Sequence, residues 1–302
     1  MTDAWRCPVC GGENGTPRWR VTSTAVEDGV DARAFRPSAD RFGETVERVL
    51  ACAACGHGSL ASRPSPEALA AAYADAADPE TVAEEPGRLA TADRGLAWVE
   101  SVTGVGRLVD IGCWTGSLVA AAKDRGWEAI GIEPSTWAVE RARSRGLDVR
   151  LGDLDSLDLD PGAWQCVAMC DVLEHLLDPA AAVATAVDLL APGGALYVTV
   201  PDAGSRLART MGARWWSVLP MHVQYFTRSS MSRMLSDAGL RVIGARSHPK
   251  VFTAGYYAGR LGGYSAGLAR AAEGAVRRLG LAERPVAPDF RDRMQVLAVR
   301  PR

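Results

Sequence analysis

The chain has 302 residues, about two domains' worth at roughly 150 residues each, enough to bury a sizeable core without disulfides. Apolar residues at 47%, charged residues at 23% and a formal net charge of -2 exclude wholesale disorder and a uniformly basic nucleic-acid binder. The longest nearly apolar stretch, 179–192, is interrupted by Asp188 and falls short of the roughly 20 residues that span a bilayer.

The first ten residues lack an apolar run with a small-residue cleavage site, so a reducing, cytoplasmic setting is expected for the seven cysteines. In that setting paired cysteines suggest metal or redox chemistry. Cys7-Pro-Val-Cys10-Gly and Cys52-Ala-Ala-Cys55-Gly are two knuckles of the same spacing. Four thiolates suit tetrahedral zinc, and a glycine after the second cysteine of each pair allows the tight turn that brings both sulfurs to one ion. Residues 1–62 are expected to form this zinc-stapled module. With its shell complete, the ion would stabilise rather than catalyse, and its removal would unfold the module while leaving the rest standing. His57 reads as a structural part of the second knuckle. Residues 1–60 hold seven arginines against eight acids, which argues against a phosphate-tracking surface and makes a nucleic-acid partner an unlikely expectation.

A Pro-rich stretch opens the next block, 63–103, where apolar positions at helical spacing and Ser65 ahead of Pro66 predict a helical connector. From 104 to 302 short apolar runs alternate with helical periods. Strands are expected at 107–112, 127–133, 147–152, 164–170, 195–200 and 294–300, and helices at 117–126, 136–146, 179–194 and 229–240, three of them closed by glycine. This is an α/β, Rossmann-like pattern: a mostly parallel sheet with helices on both faces. Tyr257, Leu261, Tyr264 and Leu268 at helical spacing mark an insertion of about 247–291 that could cover a site. Its surroundings are basic, with eleven Lys and Arg against four acids in 246–302.

The first strand of this block runs into Val109-Asp110-Ile111-Gly112-Cys113-Trp114-Thr115-Gly116, at the end of a strand where open α/β sheets bind ligands. The Gly-x3-Gly spacing is not the one that cradles a pyrophosphate, and Asp110 at its head would repel phosphate and attract a cation. A cationic, phosphate-free cofactor follows. Glu133, closing the second strand in Ile130-Gly131-Ile132-Glu133-Pro134-Ser135, can accept from both hydroxyls of a ribose.

These segments resemble the class I S-adenosylmethionine (SAM) dependent methyltransferases over about residues 100–302, as do Cys170-Asp171-Val172-Leu173-Glu174-His175-Leu176 and Pro192-Gly193-Gly194. The resemblance implies the family's seven-stranded sheet. It implies that Gly112 and Gly116 pass under methionine and ribose, that Glu133 binds the ribose and that Asp153 meets the adenine amine. Asp110, Asp171 and Trp114 join this cofactor set, Trp114 standing where the family has glycine.

Trp215-Trp216-Ser217-Val218-Leu219-Pro220-Met221-His222-Val223-Gln224-Tyr225-Phe226-Thr227 resembles a segment of methyltransferases that join a zinc ribbon to this fold, among them deoxysugar C-methyltransferases. That resemblance makes His222 a general base, although Leu219 and Met221 occupy the places of its glutamate and tyrosine helpers. His175, just beyond the fourth strand, is the second candidate base, and His248 reads as structural or solvated. Trp215, Trp216, Tyr225, Tyr256, Tyr257 and Tyr264 are candidates for an acceptor pocket. The expected activity is methyl transfer from SAM to a hydroxyl of a small molecule such as a sugar or secondary metabolite. RNA methylation, C-methylation of a deoxysugar and a non-catalytic partner protein are the alternatives.

Overall fold

The computed structural model describes residues 5–23, 38, 41–45, 47–62, 64–154 and 159–302. Residues 24–37 of the expected zinc module and Arg63 at its boundary lie outside the described residues.

Around the cysteine knuckles are short strands: β1 (Gly15–Pro17), β2 (Thr22–Ser23), β3 (Glu44–Thr45), β4 (Val49–Cys52) and β5 (Gly58–Leu60). Helix α1 (Pro66–Ala74) starts as its sequence predicts, with Ser65 Oγ accepting from the Ala68 amide and a proline in the first turn. A 3-10 turn, Pro79–Glu84, leads into α2 (Glu85–Thr103). The α/β region then runs β6 (Arg107–Ile111), α3 (Ser117–Asp124), β7 (Glu128–Glu133), α4 (Thr136–Ser144), β8 (Val149–Leu151), β9 (Trp164–Cys170), α5 (Pro179–Leu189) and β10 (Leu190–Pro201). It continues through α6 (Arg206–Met211), β11 (Gln224–Tyr225), α7 (Arg228–Asp237), β12 (Arg241–Ser247), β13 (Phe252–Thr253), α8 (Ala254–Gly259), α9 (Ala266–Arg278), β14 (Pro285–Val286) and β15 (Arg293–Val299).

Helices α3, α4 and α7 are followed by Gly126, Gly146 and Gly239 at φ +88°, +76° and +83°, the left-handed residue that ends a helix. Helix α5 stops earlier than its apolar run predicts. Pro192 cannot donate to a helix, and the chain enters β10 at Leu190, with Arg300 Nη1 donating to the carbonyls of Val187 and Leu190.

Seven strands form one sheet in the order β12-β15-β10-β9-β6-β7-β8, parallel except for β15, which runs antiparallel to β10 and β12. Strand β12 gave no apolar run in the sequence because it is mostly half-buried and interrupted by a bulge between Val242 and Gly244. Alternate side chains feed two cores. Val109, Ile111, Val167, Met169, Leu196 and Val198 pack with α5 and α7, while Leu108, Cys166, Ala168, Tyr197 and Leu297 pack with α2 and α3. Burial of each such side chain contributes about 1.5–3 kcal/mol. Helix α2 lies flat on this face, since a Cβ on Gly95 would fall 2.2 Å from Tyr197 Oη.

The cysteine module does not stand apart. Its sheet, β1-β4-β5-β11, takes its last strand from the α/β region, with Gln224 opposite Ser59 and Tyr225 opposite Gly58. Cys7, Val9 and Cys52 share a core with Phe226, Met231 and Leu235.

Candidate active site

The carboxyl ends of β6, β7 and β9 open onto one cavity of about 1030 Å³. The chain leaves β6 through Gly112, Cys113, Trp114, Thr115 and Gly116, three of which adopt positive φ: +70° at Gly112, +50° at Trp114 and +78° at Gly116. Amides of Gly112 and Cys113 donate to the Ile132 carbonyl (2.8 and 3.2 Å) and pin this turn against β7. A Cβ on Gly112 would sit 2.6 Å from Val172 Cγ2, so that position tolerates no side chain. Trp114 takes the left-handed conformation despite its bulk. Its amide donates to Glu133 Oε2 (2.8 Å), its indole Nε1 to Thr81 Oγ1 (3.4 Å), and its ring lies 5.4 Å from that of Trp137.

Glu133 Oε1 accepts from the Ser135 amide (2.9 Å), so each carboxylate oxygen holds one backbone bond and keeps a lone pair for another donor. Burial pushes its carboxyl up to about 7, against the pull of the two amides.

Across the cavity, Asp171 follows β9 at φ +59° and pairs with Lys250 and Arg293, with Thr199 Oγ1 donating to it at 3.2 Å. Burial opposes its charge, but the two cations outweigh that and hold the carboxyl below the usual carboxylate range. The 3-10 turn Leu173–His175 then presents Glu174 and His175. His175 Nδ1 bonds the Met221 carbonyl (3.2 Å) and His222 Nδ1 bonds the Ser217 carbonyl (2.7 Å). A carbonyl only accepts, so both imidazoles carry their proton on Nδ1 and leave Nε2 with a lone pair. The rings are 4.9 Å apart. Burial holds His175 down at about 4; His222 lies well below its ordinary value, through burial first and then its neighbour His175. Burial and Asp171 push Glu174 up to about 8. One ligating atom each from Glu174, His175 and His222 lie within 4.8 Å of one another. The backbone joins the two histidine segments directly, the Val223 amide donating to the Glu174 carbonyl at 2.9 Å.

A family model described as a methyltransferase domain matches residues 59–245, more than half of the chain. The chain belongs to the methyltransferase-domain family. An uncharacterized 37.1 kDa protein in transposon Tn4556 of Streptomyces fradiae is 38% identical over 102 residues, 31% of this chain and 30% of that protein. A ubiquinone biosynthesis O-methyltransferase of Methylococcus capsulatus is 30% identical over 152 residues, 46% of this chain and 64% of the relative. The chain thus spans less than two thirds of the length of both. A solved complex between the Trm112 methyltransferase activator of Haloferax volcanii and a methyltransferase matches with a TM-score of 0.51 and 20% identity, covering 72% of this chain and 91% of the other; it shows the shared fold.

Within this methyltransferase fold the structure separates the residues picked out by sequence. Gly112, Trp114, Glu133, Asp153 and Asp171 line the cavity, as do His175, His222, Trp216, Tyr256, Tyr257 and Tyr264. Gly116 does not; it is the N-cap of α3, and a Cβ there would meet Leu147 Cδ1 at 2.7 Å. Asp110 lies behind the turn, in a separate cleft of about 110 Å³, with Oδ1 unpartnered. Burial, then the charge of Glu133, raises its carboxyl well above the usual range, so both work against the cation-attracting charge expected there. Trp215 is fully buried, donating from Nε1 to Asp292 Oδ2 (2.8 Å), and Tyr225 packs edge-on against Trp19 (5.0 Å). Neither reaches the cavity: both rings pack in one core with Val49 and Leu60 of the cysteine module. His248, read as structural or solvated, is buried and lines the cavity, where burial holds it at about 3.

Glu174, Lys250, Arg293 and Arg88 also line the cavity and had been assigned nothing. Glu174 stood beside His175 in a segment already singled out. Lys250 is one of two lysines in a chain that otherwise uses arginine, the one compositional hint it left. Arg293 and Arg88 left none.

The four knuckle sulfurs fit a zinc ion. They lie within 4.8 Å of one another, with Cys7–Cys55 at 3.6 Å and Cys10–Cys52 at 3.5 Å, close to the roughly 3.8 Å that a tetrahedron with 2.3 Å zinc–sulfur bonds requires. Backbone amides of Val9 and Cys10 point at Cys7 Sγ and those of Ala54 and Cys55 at Cys52 Sγ, as thiolates demand. His57 is fully buried and is not needed as a ligand: its Nε2 bonds Gln224 Oε1 (2.9 Å), whose Nε2 donates to the Leu176 carbonyl (2.9 Å). Burial holds His57 neutral, at about 4. The second knuckle is thereby bonded to the strand after His222 and to the turn after His175. Among the described residues no helix is long and apolar enough to cross a membrane.

Proposed function

We propose that this chain transfers a methyl group from SAM to a hydroxyl of a small molecule, a sugar or secondary metabolite, and works in the cytoplasm with a structural zinc on Cys7, Cys10, Cys52 and Cys55. The supporting observation is a single cavity with Glu133 and the Gly112–Trp114 turn on one wall and the paired Nε2 lone pairs of His175 and His222 on another. SAM supplies an electrophilic methyl on a sulfonium. Gly112 lets the backbone pass beneath it, Glu133 accepts from the ribose hydroxyls and Asp153 faces the adenine end. Asp171, already neutralised by Lys250 and Arg293, frames the methionine end.

The acceptor enters from the side of Trp216, Tyr256, Tyr257 and Tyr264. Its hydroxyl reaches the histidine pair, and in the simplest form of the reaction a neutral imidazole takes the proton as the oxygen displaces the sulfonium sulfur: the O–C bond forms, the C–S bond breaks and its electron pair stays on sulfur. Titration calorimetry with SAM and its demethylated product tests the first half. Micromolar binding in wild type and loss in Glu133→Ala support it, and no binding to folded, zinc-loaded wild type overturns it. A hydroxyl-acceptor screen with His175→Asn and His222→Asn tests the second.

C-methylation is favoured by one observation: Glu174 supplies, from another segment, the carboxylate that Leu219 and Met221 fail to provide beside His222. Deuterium exchange at a carbon next to a carbonyl of the acceptor would distinguish it.

A further inference from the structure

We propose that Glu174, His175 and His222 form a binding site for one divalent transition-metal ion, separate from the cysteine knuckles and open to the cavity. One donor atom from each of the three lies within 4.8 Å of the others, a cluster that slight side-chain rotation closes onto one ion with bonds of about 2.0–2.2 Å. Each imidazole donates from Nδ1 to a backbone carbonyl, Met221 for His175 and Ser217 for His222. That is how ligating histidines are oriented, with the tautomer fixed and Nε2 presented to the ion. Glu174 is 2% exposed, and its Oε2 has no hydrogen-bond partner, although buried carboxylate oxygens are almost always partnered. An ion supplies the partner. The three groups sit on two segments locked together by the Val223 amide on the Glu174 carbonyl, so the site is preformed.

Two imidazoles and a carboxylate suit Zn²⁺, Fe²⁺, Co²⁺ or Mn²⁺, and three protein ligands leave coordination positions free. All three residues line the cavity, so those positions face the acceptor. Lys250 and Arg293 are held by Asp171, so the charge that meets the ion is that of the Glu174 carboxylate it binds. The inference rests on the proposal that this end of the cavity receives the acceptor hydroxyl. An ion here would lower that hydroxyl's proton affinity and release the proton to water, so the imidazoles would serve as ligands and not as bases.

The test uses the 302-residue chain with one zinc on the knuckles, titrated with Co²⁺. Cobalt at the proposed site gives weak visible bands without thiolate charge transfer; cobalt displacing zinc from the knuckles gives intense thiolate bands. Wild type is expected to take one equivalent with the weak spectrum, and Glu174→Gln and His222→Asn to bind at least tenfold more weakly. Circular dichroism and SAM calorimetry on the same samples establish that the variants are folded. Should a variant fail to fold, Mn²⁺ paramagnetic broadening of the His175 and His222 imidazole signals in wild type replaces it. No thiolate-free cobalt in folded wild type, or unchanged binding in both folded variants, overturns the metal site. SAM binding retained in that case leaves the methyltransferase reading intact, whereas its absence from folded wild type overturns that reading by itself.

Discussion

The two walls of the cavity are built differently. The donor wall comes from two consecutive strand ends, Gly112 to Trp114 and Ile132 to Pro134, joined by backbone bonds to Glu133 and to the Ile132 carbonyl. The acceptor wall is gathered from Tyr73, Arg88, Val172 to His175, Trp216 to His222, His248 to Tyr257 and Arg293, and is braced from outside by the cysteine module through β5, β11 and the His57–Gln224 bond. A turn that needs left-handed glycine writes its geometry into a few adjacent letters; a wall assembled by long-range packing does not.

Zinc removal should separate the walls most strongly. A knuckle site contributes on the order of 10 kcal/mol, and its loss should free β11 and the histidine segment. After chelation, hydrogen exchange should show deprotection of 222–227, methyl transfer should vanish, and SAM affinity should fall less than tenfold. Protected amides there with undiminished turnover would mean the module stands apart, as the sequence alone suggests.

Point changes should divide in the same way. Glu133→Ala is expected to weaken SAM binding by about a hundredfold, roughly 3 kcal/mol for lost charged hydrogen bonds, measured by calorimetry. His222→Asn should leave SAM affinity within about threefold and lower turnover by about a hundredfold or more.

A pH series probes the donor wall alone. The Glu133 carboxyl rises from 4.5 in the unfolded chain to about 7 when folded, so its contribution is fully present below pH 4.5 and is lost as pH climbs through 7. Relative to Glu133→Gln, wild type should therefore lose about 3 kcal/mol of stability between pH 4.5 and about pH 8, read from urea unfolding. A flat difference would mean the group stays charged when folded.

Smaller effects remain at the brace and the turn. Gln224→Leu leaves His57 Nε2 buried without its partner and should cost about 2 kcal/mol, with turnover falling more than SAM affinity. Trp114→Gly relieves a left-handed conformation but loses the ring contact with Trp137, so stability should change by less than about 1 kcal/mol. A large loss of SAM affinity there would show that the indole itself holds the cofactor.

The α/β order, the glycine-ended helices and the paired knuckles were legible because each is a short-range signal: strand period, cap geometry, ligand spacing. Gly112, Trp114 and Glu133 could be named from the same kind of pattern. Trp215 and Tyr225 misled because an aromatic next to a functional histidine carries no mark of which way its ring turns. His248 could not be placed from sequence because proximity to Pro249 does not reveal its burial, which the fold decides by holding its amide on the Arg293 carbonyl.

The amino-acid order by itself therefore determined the strands of the sheet, the donor turn and the two cysteine knuckles, each set by residues within a few positions of one another. Only the tertiary structure decided that Glu174 stands with His175 and His222, that Lys250 and Arg293 neutralise Asp171, and that the knuckle module shares a sheet with β11. Those pairings link segments far apart in the chain, and they exist because burial of two apolar sheet faces leaves few ways to close the cavity.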